Sequence, residues 1–121
     1  MSSLINKAPT GDWQYASAAD IADTNAVEAI AAKTGCRHRV TDITLNNTDT
    51  AVATLVQVRS GTTVLWTGFL GPYIAAAPGT NQIDRSFVRP LKGDDGGNIN
   101  VICITTSAQV RASLGGYTET A

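Results

Sequence analysis

The sequence has 121 residues, 43% of them hydrophobic, which is enough for one domain with its own core and too short for two ordinary domains. The 9 lysine and arginine residues face 10 aspartate and glutamate residues, so the net charge is −1 and a basic nucleic-acid-binding patch is not expected. No apolar run approaches the roughly 20 residues of a membrane helix, and the first residues lack the apolar stretch of a secretory signal. Charged residues make up only 16% of the chain, which favours a surface partly covered by partners.

The N-terminal residues 1–12 are predicted to form an extended arm, because they hold small polar residues and the isolated apolar pair Leu4 and Ile5. Residues 13–121 are predicted to form a single sandwich domain. Trp13 and Tyr15 alternate around a polar residue, which indicates a short strand with both rings in the core.

Residues 24–35 allow two predictions. As a helix, Asn25 and Glu28 would form a capping box, the alanines would favour the interior, and Gly35 would end it. As a strand, residues 27–32 would alternate between two faces. Local rules favour a short helix.

From residue 36 onward, alternating patterns predict strands separated by turns. Strand 39–46 is expected to place two sets on opposite faces: Thr41, Ile43 and Leu45 against Val40, Asp42 and Thr44. Residues 47–50 form a polar turn cluster. Strands 51–59 and 63–70 are predicted to form a hairpin around Ser60-Gly61-Thr62. Their inward residues are expected to be Val52, Val56 and Val58 on the first strand, and Val64, Trp66 and Leu70 on the second.

Residues 71–81 are predicted to form a long exposed loop, followed by strand 82–91 with Ile83, Phe87 and Leu91 inward. Residues 94–98 form a turn by composition. Strands 99–106 and 108–117 are expected to pair as a final hairpin. Seven or eight short strands spaced about ten residues apart predict an all-β fold, a single antiparallel sandwich or barrel.

Few residues in the sequence have the pattern of a chemical site. His38 shares a strand face with Cys36, so a hydrolase with this Cys–His pair is one hypothesis, although parallel side chains on a strand aim poorly at each other. Cys36 and Cys103 are expected to be buried free thiols. The turn at residues 94–98 lacks the closing glutamate of a calcium loop. We therefore expect no catalytic, metal or cofactor site.

The order and spacing of several motifs resemble a group of small structural proteins encoded among tailed-bacteriophage virion genes. The motifs are Trp13-Gln14-Tyr15, a first strand and Gly-rich turn over residues 25–35, a strand ending at Asn47, Arg-Ser-Gly-Thr-Thr-Val-Leu-Trp-Thr-Gly over residues 59–68, Pro-Leu-Lys-Gly over residues 90–93, a strand over residues 98–106, and Gly116-Tyr117. The resemblance implies a jelly-roll-like sandwich and a strand, not a helix, over residues 25–32.

The same resemblance implies a capsid decoration or cement protein on the outer surface of the virion head. Its partners would be the major capsid protein and further copies of itself, with a trimer expected by analogy alone. The residues expected at such interfaces lie in the arm, the loop after residue 71, the turn at residues 94–98 and strand 82–91: Leu4, Ile5, Lys7, Pro9, Tyr73, Ile74, Pro78, Asp94, Asp95, Arg85 and Arg89.

Two alternative functions remain beside the hydrolase. One is a tail or neck component of the same virion. The other is a glycan-binding module for host attachment, in which Tyr73 would be a contact residue.

Overall fold

The computed structural model describes residues 11–17, 26–74, 79–105 and 108–121, and eight strands lie within these ranges. The strands are β1 (Gly11–Ala16), β2 (Val27–Ile30), β3 (Cys36–Asn47), β4 (Thr54–Ser60), β5 (Thr63–Leu70), β6 (Gln82–Lys92), β7 (Ile99–Cys103) and β8 (Val110–Thr120). Within those ranges we find no helix long and apolar enough to cross a membrane.

The strands form two four-stranded antiparallel sheets that pack as a sandwich. The first sheet has the order β1-β8-β3-β6, and the second has the order β2-β7-β4-β5. The pairs β4–β5, β3–β6, β2–β7 and β1–β8 are nested around the central hairpin and alternate between the sheets. This is the jelly-roll arrangement. The predicted all-β, jelly-roll-like antiparallel sandwich is therefore confirmed.

The core lies between the inner faces of the two sheets. Its buried members are Val40, Ile43, Leu45, Val56, Val58, Leu70, Ile99, Val101, Cys103, Ala108, Val110, Ala112 and Leu114. Branched aliphatic side chains dominate this list, as expected for strands whose inward faces are pressed together. Trp13, Tyr15, Trp66 and Phe87 pack around its rim. The inward positions predicted for Trp13, Tyr15, Ile83, Phe87 and Leu91 agree with this packing.

A β-bulge at Thr41 divides the long strand β3 into two halves. The pairing of β3 with both β8 and β6 shifts register between Val40 and Asp42. Val40 before the bulge and Ile43 after it are both fully buried. The prediction that Val40 faces away from Ile43 is therefore wrong, because one extra residue reverses the alternation of the strand.

The hairpin of β4 and β5 is confirmed, and it contains a second bulge. Val58 pairs with Trp66 and Arg59 pairs with Val64, so Leu65 is the extra residue. Val64 consequently faces solvent, and the prediction that it points inward with Trp66 is wrong. Gly61 occupies the turn with a φ of 58°, a conformation that favours glycine.

The expected final hairpin of β7 and β8 does not form. β7 pairs with β2 and β4 in the second sheet, whereas β8 pairs with β1 and β3 in the first. The prediction is wrong because the chain crosses from one sheet to the other after β7. Thr106 and Ser107, the predicted turn, lie outside the described residues.

Residues 27–30 form strand β2, which pairs with β7. The helix that local propensity favoured is therefore wrong, and the strand that the family resemblance implied over residues 25–32 is confirmed at residues 27–30. Pairing with the buried strand β7 satisfies the backbone groups of these residues and overrides their local helix propensity.

Strand β6 departs furthest from regular pairing. Leu91 pairs with Val40 and Ser86 pairs with Asp42, so the four residues 87–90 form a wide bulge opposite the single residue Thr41. Phe87 turns inward and packs edge-to-face on Trp66, with ring centroids 6.3 Å apart. Val88 is fully exposed. Such a bulge protects an edge strand from pairing with other chains.

Gly116 permits the close packing of β1 on β8 and β3. A Cβ atom at this position would lie 2.1 Å from the carbonyl oxygen of Arg39 and 2.5 Å from Cζ2 of Trp13. At neighbouring Gly115, a Cβ atom would instead meet the exposed carboxylate of Asp42, whose side chain can rotate away. The bulge at Thr41 lies directly opposite this glycine pair.

We predict that Gly116→Ala lowers the free energy of unfolding by about 2–3 kcal/mol, because the backbone and the indole cannot both move aside. The matched control Gly115→Ala is expected to change it by less than about 1 kcal/mol. Urea denaturation followed by tryptophan fluorescence measures both values. Equal effects of the two variants would contradict this account of the packing.

Candidate assembly surface

The outer faces of the two sheets differ in chemical character. The first sheet presents polar and charged side chains to solvent, among them Arg37, Arg39, Asp42, Thr44, Asp84, Arg111, Ser113 and Glu119. The Nε group of Arg39 donates a hydrogen bond to Oε2 of Glu119 at 2.7 Å, and a guanidinium nitrogen of Arg37 lies 3.9 Å from the same oxygen. This face is typical of a solvated sheet surface.

The second sheet carries four exposed large hydrophobic residues on its outer face. We call them the apolar patch: Leu55 (43% exposed), Val64 (45%), Phe69 (62%) and Ile104 (40%). Leu55 and Phe69 are direct cross-strand partners, and the amide of Ile104 donates to the carbonyl oxygen of Leu55 at 2.9 Å. Three of the four side chains therefore form one row across neighbouring segments, about 4.8 Å apart.

Two charged residues of this face, Arg59 and Glu28, are hydrogen-bonded to neighbouring amide side chains, and Arg59 is the cross-strand partner of Val64. Arg59 donates from Nε to Oε1 of Gln57 at 2.8 Å, which holds its guanidinium against the sheet. Glu28, two strands away on β2, accepts from Nδ2 of Asn98 at 2.8 Å. Ile102 on β7 is the cross-strand partner of Gln57 and is buried. An exposed apolar row on a sheet face is typical of a binding surface.

The interface residues expected from the sequence do not come together in one place. Tyr73 and Ile74 follow β5 at the end of the sandwich that holds Asn47, and both are exposed. Asp94 lies at the opposite end, where its amide donates to Oγ of Ser60 and its carboxylate accepts from Oγ1 of Thr63. The structure also describes three other residues of this set, Asp95, Arg85 and Arg89. The rest of the set lies outside the described residues: Leu4, Ile5, Lys7, Pro9 and Pro78.

Asp95, Arg85 and Arg89 also lie in different parts of the fold. Asp95 is exposed in the same turn as Asp94, Arg85 is exposed on β6, and Arg89 lies in the bulge of that strand. The apolar patch was not predicted from the sequence, although the alternation of two of its residues indicates it. Leu55 and Phe69 have the opposite alternation from Val56 and Leu70 in a hairpin whose existence was predicted.

The Cys–His pair does not have the geometry of a nucleophile and its base. His38 is buried, with Nε2 2.8 Å from the carbonyl oxygen of Ala31 and Nδ1 2.7 Å from Oγ1 of Thr118. A carbonyl oxygen only accepts, so Nε2 donates to Ala31, while Nδ1 is hydrogen-bonded to the threonine hydroxyl. Both ring nitrogens are thus engaged away from Cys36.

Cys36 and Cys103 are buried free thiols, as predicted. Across the ranges that the structure describes, no three His, Cys, Asp or Glu side chains gather in a group that could hold a metal ion.

We predict that Cys103 resists alkylation in the folded protein. Burial raises the pKa of its thiol to about 11, whereas an unfolded thiol has a pKa of about 8.5. At about pH 8.5, iodoacetamide should modify Cys103 at least about 100-fold more slowly than in unfolded protein in urea, measured by mass spectrometry. The unfolded form binds fewer protons between these two pKa values, so this thiol should also lower stability as the pH rises from about 8.5 to 11. Alkylation of Cys103 at the unfolded rate would contradict this account of its burial.

Comparison with known proteins gives similarity of fold. No protein-family model matches the sequence. No curated protein matches it either. A chain of the Bacillus endospore appendages, described as disulfide-linked pili, is similar to it with a TM-score of 0.52 and 9% identity, over 92% of this chain and 88% of that one. At this identity, the likeness shows a shared fold.

Two further solved structures are more distant. A chain of the capsid asymmetric unit of cyanophage Pam1 has a TM-score of 0.47 and 11% identity, over 93% of this chain and 84% of that one. The insecticidal delta-endotoxin Cry8Ea1 from Bacillus thuringiensis has a TM-score of 0.41 and 14% identity, over 93% of this chain and 18% of the toxin. The solved structures that resemble this chain thus include pilus and capsid proteins as well as part of a toxin.

Proposed function

We propose that this protein is a virion structural protein without enzymatic activity, specifically a capsid decoration or cement protein. It would bind the outer surface of the head through the major capsid protein and through its own copies. The observation that carries the proposal is the apolar patch on the outer face of the second sheet, opposite a charged first sheet. The jelly roll, which occurs in viral capsid domains, and the motif resemblance support the same function.

The area of the outer face of the second sheet favours assembly in several linked copies. Seven residues of β4 at about 3.3 Å each and four strands about 4.8 Å apart give a face of roughly 440 Å². A standard stable interface buries about 800 Å² on each partner. One sheet face alone would therefore bind weakly. An oligomer on a regular lattice would gain a factor of about 10²–10⁴ through multivalency, and a trimer suits the three-fold positions of a capsid.

Further contacts are proposed for the segments around the sandwich. The arm of residues 1–12, with Leu4 and Ile5 as its apolar pair, would lie across a neighbouring subunit. β1 already includes Gly11 and Asp12, so the arm would leave the sheet next to β8. Ile74 and Asp94 lie at opposite ends of the sandwich and would contact different neighbours.

Co-sedimentation tests this function directly. Purified protein is mixed with mature heads, unexpanded proheads and isolated tails of the parent phage, and the bound fraction is measured against concentration. Saturable binding to mature heads is the expected result. Binding to tails alone would instead assign a tail or neck component, and binding to none of the three would overturn the virion function.

We predict that Phe69→Lys weakens head binding by about tenfold or more, because the substitution places a charge within the apolar patch, at its most exposed residue. Thr44→Lys is the matched control, since it adds the same charge at an exposed strand position on the first sheet. Both variants should keep the thermal stability of the parent protein. Equal binding by the two variants would show that the second sheet is not the docking face.

We predict that deletion of residues 1–9 weakens head binding and leaves the unfolding transition unchanged, because β1 begins only at Gly11. Co-sedimentation and a thermal melt measure the two quantities on the same sample. Undiminished binding by the shortened chain would remove the arm from the proposal and leave the apolar patch as its basis.

A further inference from the structure

A second surface feature lies at the end of the sandwich that holds Asn47. Among the residues that the structure describes, five uncharged ones line a cavity of about 270 Å³ there: Asn46, Thr48, Tyr73, Asn81 and Gln82. Asn46 and Gln82 are cross-strand partners of β3 and β6 in the first sheet. The cavity therefore belongs to a different sheet from the apolar patch and is independent of it.

Hydrogen bonds hold the backbone around this cavity in place. The amide of Tyr73 donates to the carbonyl oxygen of Asp49 at 2.8 Å, and the amide of Gly71 donates to that of Thr80 at 3.0 Å. The amide of Asn47 donates to the carbonyl oxygen of Asn81 at 2.8 Å. The backbone at Tyr73 and Asn81 is thus anchored, so a ligand would meet largely preformed positions for these two residues.

The side chain of Asn81 fixes the orientation of its neighbour Asn46. Asn81 is buried, and its Nδ2 group donates to Oδ1 of Asn46 at 2.9 Å and to the carbonyl oxygen of Asn47 at 2.8 Å. Because Oδ1 of Asn46 accepts this bond, the other branch of the same amide presents its Nδ2 donor. Gln82 is exposed beside it and adds an amide with both a donor and an acceptor.

Tyr73 supplies an aromatic face to the same cavity. Its side chain is 44% exposed, so part of the ring is open to solvent although its backbone is anchored. An aromatic face with a negative quadrupole packs well against polarised C–H groups, and the phenol hydroxyl can both donate and accept. The ring therefore provides apolar contact beside amides that bond polar groups.

We propose that this cavity binds one neutral sugar residue. The Tyr73 ring would stack on the C–H face of the sugar, and the amides of Asn46 and Gln82 would bond its hydroxyl groups. None of the five lining residues is charged, which disfavours an ionic ligand, and the amides and hydroxyls disfavour a purely apolar one. The volume lies just below the range of about 300–1,000 Å³ that holds drug-sized ligands, so it suits a single ring.

The test uses isotope-labelled full-length protein and free monosaccharides, without capsids. Glucose, galactose, mannose, N-acetylglucosamine and N-acetylgalactosamine are each titrated to about 100 mM, which exceeds the millimolar Kd of a weak small-ligand site. Nitrogen–proton correlation spectra report the backbone amide of Tyr73 and the side-chain amides of Asn46, Asn81 and Gln82. At least one sugar should give saturable shifts confined to these groups.

Variants then identify the ring as the binding element. Tyr73→Ala should weaken binding of that sugar by about tenfold, whereas Tyr73→Phe keeps the ring and should stay within about threefold. Tyr117→Ala removes an aromatic ring from another part of the first sheet and should bind normally, as should Phe69→Lys. The absence of shifts with every sugar, or equal affinity of Tyr73→Ala and the parent protein, would overturn the proposal.

Discussion

The bulge at Thr41 is the constraint on which the rest of the sandwich depends. Strand β3 is central in the first sheet and contacts β8 on one side and β6 on the other, so both neighbours must follow its change of register. The bulge turns Val40 and Ile43 to the same side, and both halves of the strand then contribute to the core. Opposite the bulge, Gly115 and Gly116 leave space for Asp42 on one face and Trp13 on the other.

The two ends of the sandwich are closed by polar groups whose hydrogen bonds are directed at the backbone. At one end, buried Asn47 donates from Nδ2 to the carbonyl oxygens of Val52 and Gly71, which ties the ends of the second sheet to β3. At the other end, Ser60 accepts from the amide of Asp94, and Asn98 accepts from that of Gly61. Buried polar groups satisfied in this way specify one arrangement of loops, because an unpaired group would cost about 1–3 kcal/mol.

The outer faces of the two sheets differ in chemical character. The first sheet carries solvated charges, among them the Arg39–Glu119 pair. The second sheet exposes an apolar row that ends at Phe69 on its edge strand β5. The proposed docking uses the outer face of the second sheet, and the proposed sugar site lies at one end of the first sheet. Substitutions can therefore test the two proposals separately. A rigid jelly roll suits both, because each needs a preformed surface and no moving part.

The sequence by itself determined the fold class, the β4–β5 hairpin, the turns at Gly61 and Gly96, and the burial of both cysteines. These features depend on alternation and turn residues within a few positions of each other, which are local properties. Tertiary structure decided the inward side of Val40, the exposure of Val64, the separation of β7 from β8 and the strand at residues 27–30. Each of these depends on pairing with a strand distant in sequence, since a bulge or a sheet crossing is stabilised by the neighbours it packs against. The apolar patch lies between these cases: Leu55 and Phe69 follow from the hairpin, but only the packing of β7 beside β4 brings Ile104 into their row.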